Sequence, residues 1–282
     1  IVVEEGMYSL NNKILVTTDF SRNSRSAIRF AIQWQSKTES QLLFMHNMAL
    51  LQPTQWSQIQ YDAWVDGNQS KSEEQMEKTI SGIYKELGIT MKNFKFVITN
   101  FSNTKEAIIE TSKKMRVNQI CLSTCGAGGI MKIFGTNTSY VIKNSAIPVL
   151  AVPSRWKSRA LDSALYLTDL KEFEYEIKQI NSLTFFNNEN LNVLHVAYSD
   201  ISKQVERIKK RNIKIDSVKA DLSLTLIENI NRYLKRRKHS IMLMFTNTKR
   251  NFFEELLFPS NAISFSFQTK LPMMIVNKRV KK

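Results

Sequence analysis

No glycine occurs between residues 154 and 282, although eight lie earlier in this 282-residue chain. The second half therefore has no means of building a glycine-rich turn in which backbone amides approach an anion closely. Cysteine is also scarce. Cys121 and Cys125 cannot support a disulfide framework, and a reducing cytoplasm is the expected setting. No apolar run approaches the roughly 20 residues a membrane-crossing helix needs, so no membrane partner is expected. Residues 1–6 lack the basic flank and apolar centre of a secretory leader, and Met7 is read as the natural start behind an added stretch. What is present is ample apolar material, 43% of residues against 23% charged, enough to fill the cores of one or two domains.

Charge divides unevenly. Residues 1–153 carry 16 Lys and Arg against 12 Asp and Glu, while residues 154–282 carry 24 against 13. Most of the basic excess belongs to the half without glycine, and the two halves are not expected to do the same job.

Lys13 to Asp19 is an apolar, β-branched run that reads as a buried strand ending in a turn. Ser21 offers an N-cap to a helix carrying Ala27, Ile28, Ala31 and Ile32 at helical spacing. Strands follow at 41–47, 94–99, 117–124 and 147–152. Helices are expected at 70–87, closed by Gly88, and from Asn103 to about Met115, with Glu106 completing a capping box. Strands alternating with helices imply right-handed crossovers and a parallel sheet covered on both faces.

The pattern then repeats. Leu165 to Asp169 matches Leu15 to Asp19 at an offset of 150, and His195 matches His46 at 149. Phe258-Pro-Ser-Asn261 matches Phe134-Gly-Thr-Asn137, and 271–276 matches 147–152, both at 124. Four matches in one order indicate a tandem duplication joined through Pro153 to Ala160. The falling offset implies that copy two lost about 25 residues, most simply from the long loop after its second strand.

Thr18-Asp-Phe-Ser21, His46, the glycine loop after the fourth strand, Gly135-Thr-Asn-Thr138 and Ile147 to Pro153 together resemble the universal stress protein family in its tandem form. The likeness covers residues 10–153 and, more weakly, 160–277. It implies an α/β chain of two tandem five-stranded parallel-sheet domains, Rossmann-like and adenine nucleotide alpha hydrolase-like, related by pseudo-twofold symmetry. Members of the family often pair through the last strand, so 147–152 and 272–276 are expected to meet within the chain as a pseudo-dimer.

Many members hold ATP or AMP at the carboxyl ends of the strands. Carried over by position, Asp19 would contact the adenosine with Thr17 beside it, and Asn47 would sit by the base or ribose. Gly126 and Gly129 would border the phosphates, with Gly135, Thr136 and Asn137 donating to them. Glycines and a following helix N-terminus suit phosphate. Nucleotide-binding members carry nine residues between Gly-x-x-Gly and Gly-Ser or Gly-Thr, whereas five separate Gly129 from Gly135 here. Copy two keeps Asp169 but has Thr246-Asn-Thr-Lys-Arg250 at the loop position, so it is expected to be nucleotide-free.

Other motifs point to bland roles. Met131 breaks the dinucleotide fingerprint, and no P-loop occurs. The glycine loop also has a ligand-free reading as a tight strand-to-helix turn, and Asp19 one as a helix cap. His46 and His195 read as satisfied core histidines without metal partners. His239 lies beside a basic run. Lys209 to Arg211, Lys235 to Lys238 and Lys278 to Lys282 read as solvated helix ends and tails in preference to a nucleic-acid footprint. Residues 52–64, with Trp56, Tyr61 and Trp64, read as an aromatic connection packing over the neighbouring repeat or a partner chain. No catalytic residue and no metal ligand emerge. The implied function is a non-catalytic stress-response module of bacterial type that binds ATP or AMP, with or without Mg, in copy one. A nucleotide-free scaffold and a weak ATPase stay open, as do a homodimer and a protein partner.

Overall fold

The computed structural model describes residues 12–124, 136–157, 160–183, 190–198, 205, 206, 208, 214–246 and 271–278. Lys13–Thr17 forms β1, and α1 (Ser24–Thr38) returns to β2 (Gln41–Asn47). Next come α2 (Gln58–Leu87), β3 (Phe94–Thr99), α3 (Thr104–Lys114), β4 (Gln119–Ser123), α4 (Thr136–Asn144) and β5 (Val149–Val152). The second half contains β6 (Ala164–Leu167), α5 (Phe173–Ser182), β7 (Leu191–Ala197), β8 (Lys214–Lys219), α6 (Leu226–Arg236), β9 (Ile241–Thr246) and β10 (Met273–Asn277).

The ten strands of the described residues join one sheet in the order β3-β2-β1-β4-β5-β10-β9-β6-β7-β8. Every pairing is parallel except β5 with β10. Leu150 pairs with Met274, its own equivalent at the offset of 124, with Val149 opposite Ile275 and Ala151 opposite Met273. A pseudo-twofold axis therefore passes between Leu150 and Met274. The ladders keep the offsets read from the sequence: Leu15 lies opposite Leu43, and Leu165 opposite Asn192. Strands of the two halves run in opposite directions, so their carboxyl ends open at opposite ends of the sheet.

Alternation along the strands builds two cores. Ile14, Val16, Leu42 and Phe44 meet α1 and α2 on one face, and the same core continues through Tyr166, Val193, Leu243 and Met274. Leu15, Leu43, Ile120 and Val149 meet α3 and α4 on the other face, continuing through Leu165, Met242 and Ile275 to α6. Each such side chain, fully buried, contributes about 1.5–3 kcal/mol. The connection between the halves is anchored: Ser26 donates from Oγ to the Ser154 carbonyl at 2.6 Å, and buried Trp156 meets Phe30 edge-on at 5.2 Å.

Several local expectations change. The helix expected at 70–87 begins at Gln58, because Ser57 and Gln60 form a capping box, so most of the aromatic connection is helix. It ends as expected at Gly88, whose φ of +65° suits glycine. Ser21 does not occupy the N-cap position, which falls to Asn23; the Ser21 hydroxyl instead accepts from the Ser24 amide at 3.3 Å. Asn103 caps α3, but Glu106 accepts from its side-chain amide, not its backbone. The connection after the second strand runs over residues 48–93 and contains α2 in copy one, whereas residues 198–213 make it in copy two, where 205, 206 and 208 are helical among the described residues.

Candidate functional site

The order of strands puts a switch point between β1 and β4. The chain leaves β1 for α1 on one face and leaves β4 for α4 on the other, which opens a crevice at the carboxyl ends of these strands. Five of the eight sequence-derived residues lie around that end of the sheet: Thr17, Asp19, Asn47, Thr136 and Asn137. Gly126, Gly129 and Gly135 lie outside the described residues, as does Cys125.

At the end of β1, Phe20 takes a φ of +60°. Two hydrogen bonds hold the turn. The Phe20 amide donates to buried Thr18 Oγ1 at 3.0 Å, and the Ser21 amide donates to Asp19 Oδ1 at 3.0 Å. Asp19 stands exposed at the rim. Partial burial pushes its carboxyl up, but hydrogen bonds from the Ser21 side chain and backbone outweigh that and hold it below the usual aspartate value. It is therefore an anion exposed at the rim. Its bond goes to the turn and not to the first amides of α1, so it acts as a turn former more than a cap.

His46 donates from Nδ1 to the Thr18 carbonyl, 3.0 Å away, and its ring lies 4.3 Å from that of Phe20. A carbonyl only accepts, which fixes the tautomer with the proton on Nδ1. The satisfied-core reading holds for this histidine, and it clamps β2 to the turn that carries Asp19. Asn47 is committed entirely within the chain. Its amide donates to the Phe101 carbonyl and Thr104 Oγ1, and its oxygen accepts from the Phe101 amide and Thr99 Oγ1. Both donor hydrogens and both lone pairs are used. Asn47 shapes the loop after β3.

Across the crevice, Thr138 donates to the Ser123 carbonyl at 2.8 Å, tying the start of α4 to the end of β4. Thr136 and Asn137 stand exposed at the start of the described helix, the end whose dipole favours an anion.

The second half copies the turn and changes what lies behind it. Leu170 has a φ of +64°, Lys171 donates its amide to Asp169, and His195 Nδ1 meets the Thr168 carbonyl at 2.9 Å. In the first half, Thr18 meets Ser24, and Ser26 meets Ser154, all neutral. In the second, Glu176 stands at the position of Ser26 and Lys278 at that of Ser154. Their ion pair, 2.5 Å long, is nearly buried, with side-chain exposures of 10% for Lys278 and 3% for Glu176. Tyr166 donates to the same carboxylate, as does Thr168 at 3.2 Å, and Glu172 reaches Lys278 at 2.8 Å. Burial and the adjoining Glu176 push the Tyr166 hydroxyl far up. Lys278, read from sequence as part of a basic tail, is internal. The signal that finds this pair is the offset of 150, which puts a carboxylate at a helix position buried in copy one.

Thr246 donates to Asn277, whose amide donates to the Ile142 and Ser145 carbonyls at the end of α4. Residues 247–250 and 258–261 lie outside the described residues, as do 209–211 and 279–282. Cys121 is buried beside the Ala27 carbonyl, and burial pushes its thiol far up. Among the described residues no three His, Cys, Asp or Glu side chains gather as a metal site, and no helix is long and apolar enough to cross a membrane.

His239 is stacked on Tyr233 with ring centroids 6.0 Å apart, and neither ring nitrogen has a hydrogen-bond partner among the described residues. Burial first, then the neighbouring Arg237, lower its affinity for a proton. The folded value lies below the unfolded one, so the unfolded chain takes up a proton that the folded chain refuses. Stability should fall as pH drops through the ordinary histidine value of 6.5 toward the folded value. His239→Phe should flatten the change in melting temperature between about pH 7.5 and 5.5; an unchanged slope would assign it to other groups.

The universal stress protein family model matches residues 11–153. No curated protein sequence matches the chain. Among solved structures, a universal stress protein from Archaeoglobus fulgidus DSM 4304 is similar across 96% of this chain and 98% of its own, at 17% identity and a TM-score of 0.65. A protein of unknown function from Pseudomonas aeruginosa PAO1 covers 94% and 92%, at 12% identity and a TM-score of 0.53. A universal stress protein from Archaeoglobus fulgidus in complex with dAMP matches 51% of this chain and 98% of its own, at 17% identity and a TM-score of 0.36.

Proposed function

Because this chain belongs to the universal stress protein family, we propose that it is a non-catalytic adenine-nucleotide-binding module for stress response or signalling. Its domains are residues 10–153 and 160–277, and its single site is in the first. The observation that supports this most directly is the ionised Asp19 held in the turn after β1, at the β1–β4 switch point where α4 also begins with exposed Thr136 and Asn137. An acceptor on one wall suits the hydroxyls or exocyclic amine of an adenosine. The start of α4 on the other would offer helix amides to its phosphate. Thr17, Asp19, Thr136 and Asn137 would face the ligand with Gly126, Gly129 and Gly135, while Asn47 and His46 act as positioning residues. ATP and AMP both fit this chemistry, and Mg would come with the triphosphate.

The second domain keeps Asp169 but lacks glycine, and its ion pair already occupies the interior behind the turn. Calorimetric titration of the nucleotide-stripped chain with ATP and then AMP should give one site per chain with micromolar affinity. Two sites would overturn the restriction to the first domain. No heat with either nucleotide, together with an unchanged melting temperature, would favour a nucleotide-free scaffold, the reading that the short spacing from Gly129 to Gly135 supports.

A further inference from the structure

The helix that opens with Thr136 and Asn137 belongs to the first domain, but its far end is held by the second. α4 is nine residues long, about 13 Å, and lies across the seam between the domains. Its buried Val141 and Ile142 share one core with Val149 and Ala151 of β5 and with Met273 and Ile275 of β10. A helix leaves its last carbonyls without intrahelical partners. Here Asn277 supplies a partner from β10. Its amide donates to the Ile142 carbonyl at 2.5 Å and to the Ser145 carbonyl at 2.6 Å. Its oxygen accepts from buried Thr246 at the end of β9. Both amide hydrogens and the oxygen are engaged, which fixes the orientation of the side chain.

The same end of β10 is also pinned from its other face. Successive residues along a strand point to opposite faces. Lys278 follows Asn277, donates its backbone amide to the Thr246 carbonyl at 2.8 Å, and sends its side chain to Glu172 and Glu176. Asn277 therefore stands on a strand end that is braced by α5 while it grips α4.

This grip is one-sided. Residues 271–276 match 147–152, so Asn277 falls at the position of Pro153, whose ring offers no hydrogen-bond donor. The duplicated chain carries the donor only on the strand that faces the helix of the first domain. At the other end of α4, Thr138 lies one turn, about 6 Å, before Ile142 and holds the Ser123 carbonyl at 2.8 Å. Tied at both ends, the helix cannot slide along its axis without breaking one of these bonds.

We propose that Asn277 of the second domain is a positioning residue for the phosphate end of the first domain's site. By holding the carboxyl end of α4, it sets where Thr136 and Asn137 stand. This rests on the nucleotide-binding reading above, and the ligands that test it are chosen to separate the two.

Calorimetry with AMP, and with adenosine by displacement, distinguishes the two walls of the site. Asn277→Ala should lower AMP affinity by about 3- to 30-fold and leave adenosine affinity within about twofold, because the adenosine wall is built on the turn after β1. Asn277→Asp keeps the volume and the acceptor for Thr246 but sets a carboxylate against two carbonyls, so it should lose at least as much. Hydrogen exchange of the unliganded variants should rise across residues 136–144. Equal losses for AMP and adenosine would make Asn277 a purely structural residue and overturn the proposal, as would unchanged AMP affinity in both variants. A wild type that binds neither ligand would defeat the nucleotide reading. Exchange that rises as far as 136–139 would then still support Asn277 as the group that sets the start of α4, and exchange confined to 140–144 would overturn that as well.

Discussion

Asp19→Ala should weaken adenine-nucleotide binding by about 10- to 100-fold, the loss of one charge-assisted hydrogen bond worth roughly 1.5–3 kcal/mol. The carboxylate would have two duties: its Oδ1 accepts from the Ser21 amide, and its charge, exposed at the rim, would meet the ligand. Alanine removes both. Asp19→Asn separates them, because its carbonyl oxygen still accepts from Ser21 and keeps the turn. In calorimetry, Asp19→Asn should bind as weakly as Asp19→Ala if the ligand needs an anionic acceptor, and close to wild type if the turn is what matters. Full affinity in Asp19→Ala would remove Asp19 from the site. The Asp169→Ala variant is the internal control and should leave affinity unchanged, since the same turn there has no glycine loop opposite it.

Glu176→Gln should cost about 3 kcal/mol of folding stability, because it leaves the Lys278 ammonium nearly buried with only the more exposed Glu172 as counter-charge. For a chain of this size that corresponds to a fall of roughly 6–12 °C in melting temperature. Ser26→Ala, at the equivalent place in the first domain, removes only a neutral hydrogen bond and should cost about 1 kcal/mol. Replacing the pair by Glu176→Met and Lys278→Met should recover part of the loss, and adding Tyr166→Phe more, since the tyrosine hydroxyl would otherwise lack its acceptor. Equal losses at Ser26 and Glu176 would show that the ion pair contributes nothing special. The pair also sets an alkaline limit. Burial lowers the proton affinity of Lys278, but hydrogen bonds to Glu172 and Glu176 outweigh it, so the folded value lies above the ordinary 10.5. Its contribution is complete below pH 10.5 and is lost as pH climbs through the folded value.

Much of this architecture was legible because the buried strands announce themselves. Ile14-Leu-Val16 and Leu42-Leu-Phe44 are continuous apolar runs, as strands covered on both faces must be. The short repeats carried the pairing of the halves, and their offsets survive in the ladders residue by residue. Less legible was the start of α2. Residues 58–71 bury nothing, so their apolar side chains follow no periodicity, and only Ser57 with Gln60 marks the helix start. The Glu176–Lys278 pair was missed for another reason: its members are far apart in sequence and each alone is an ordinary charged residue, so only the repeat offset applied to buried Ser26 points to it. At the candidate site, the sequence supplied Asp19 as a residue type in a turn. The resemblance put Asn47 by the base or ribose, but its four hydrogen bonds depend on a loop that passes it only once β3 is in place, which the sequence does not show.

The antiparallel seam between β5 and β10 has a bearing on how this chain came to differ from itself. In an assembly of two identical chains, a residue on the axis faces its own copy, and any change there is made twice, against itself. Fusion into one polypeptide lifts that constraint. Leu150 now faces Met274, an unbranched side chain that adapts to a neighbour of another shape. The same freedom reaches the openings of the two domains, which look away from each other at opposite ends of the sheet. A gene encoding one copy cannot keep the neutral Ser26–Ser154 contact on one side while placing Glu176 and Lys278 at the same position on the other. A duplicated one can, and here the two ends have diverged while the sheet between them stayed continuous.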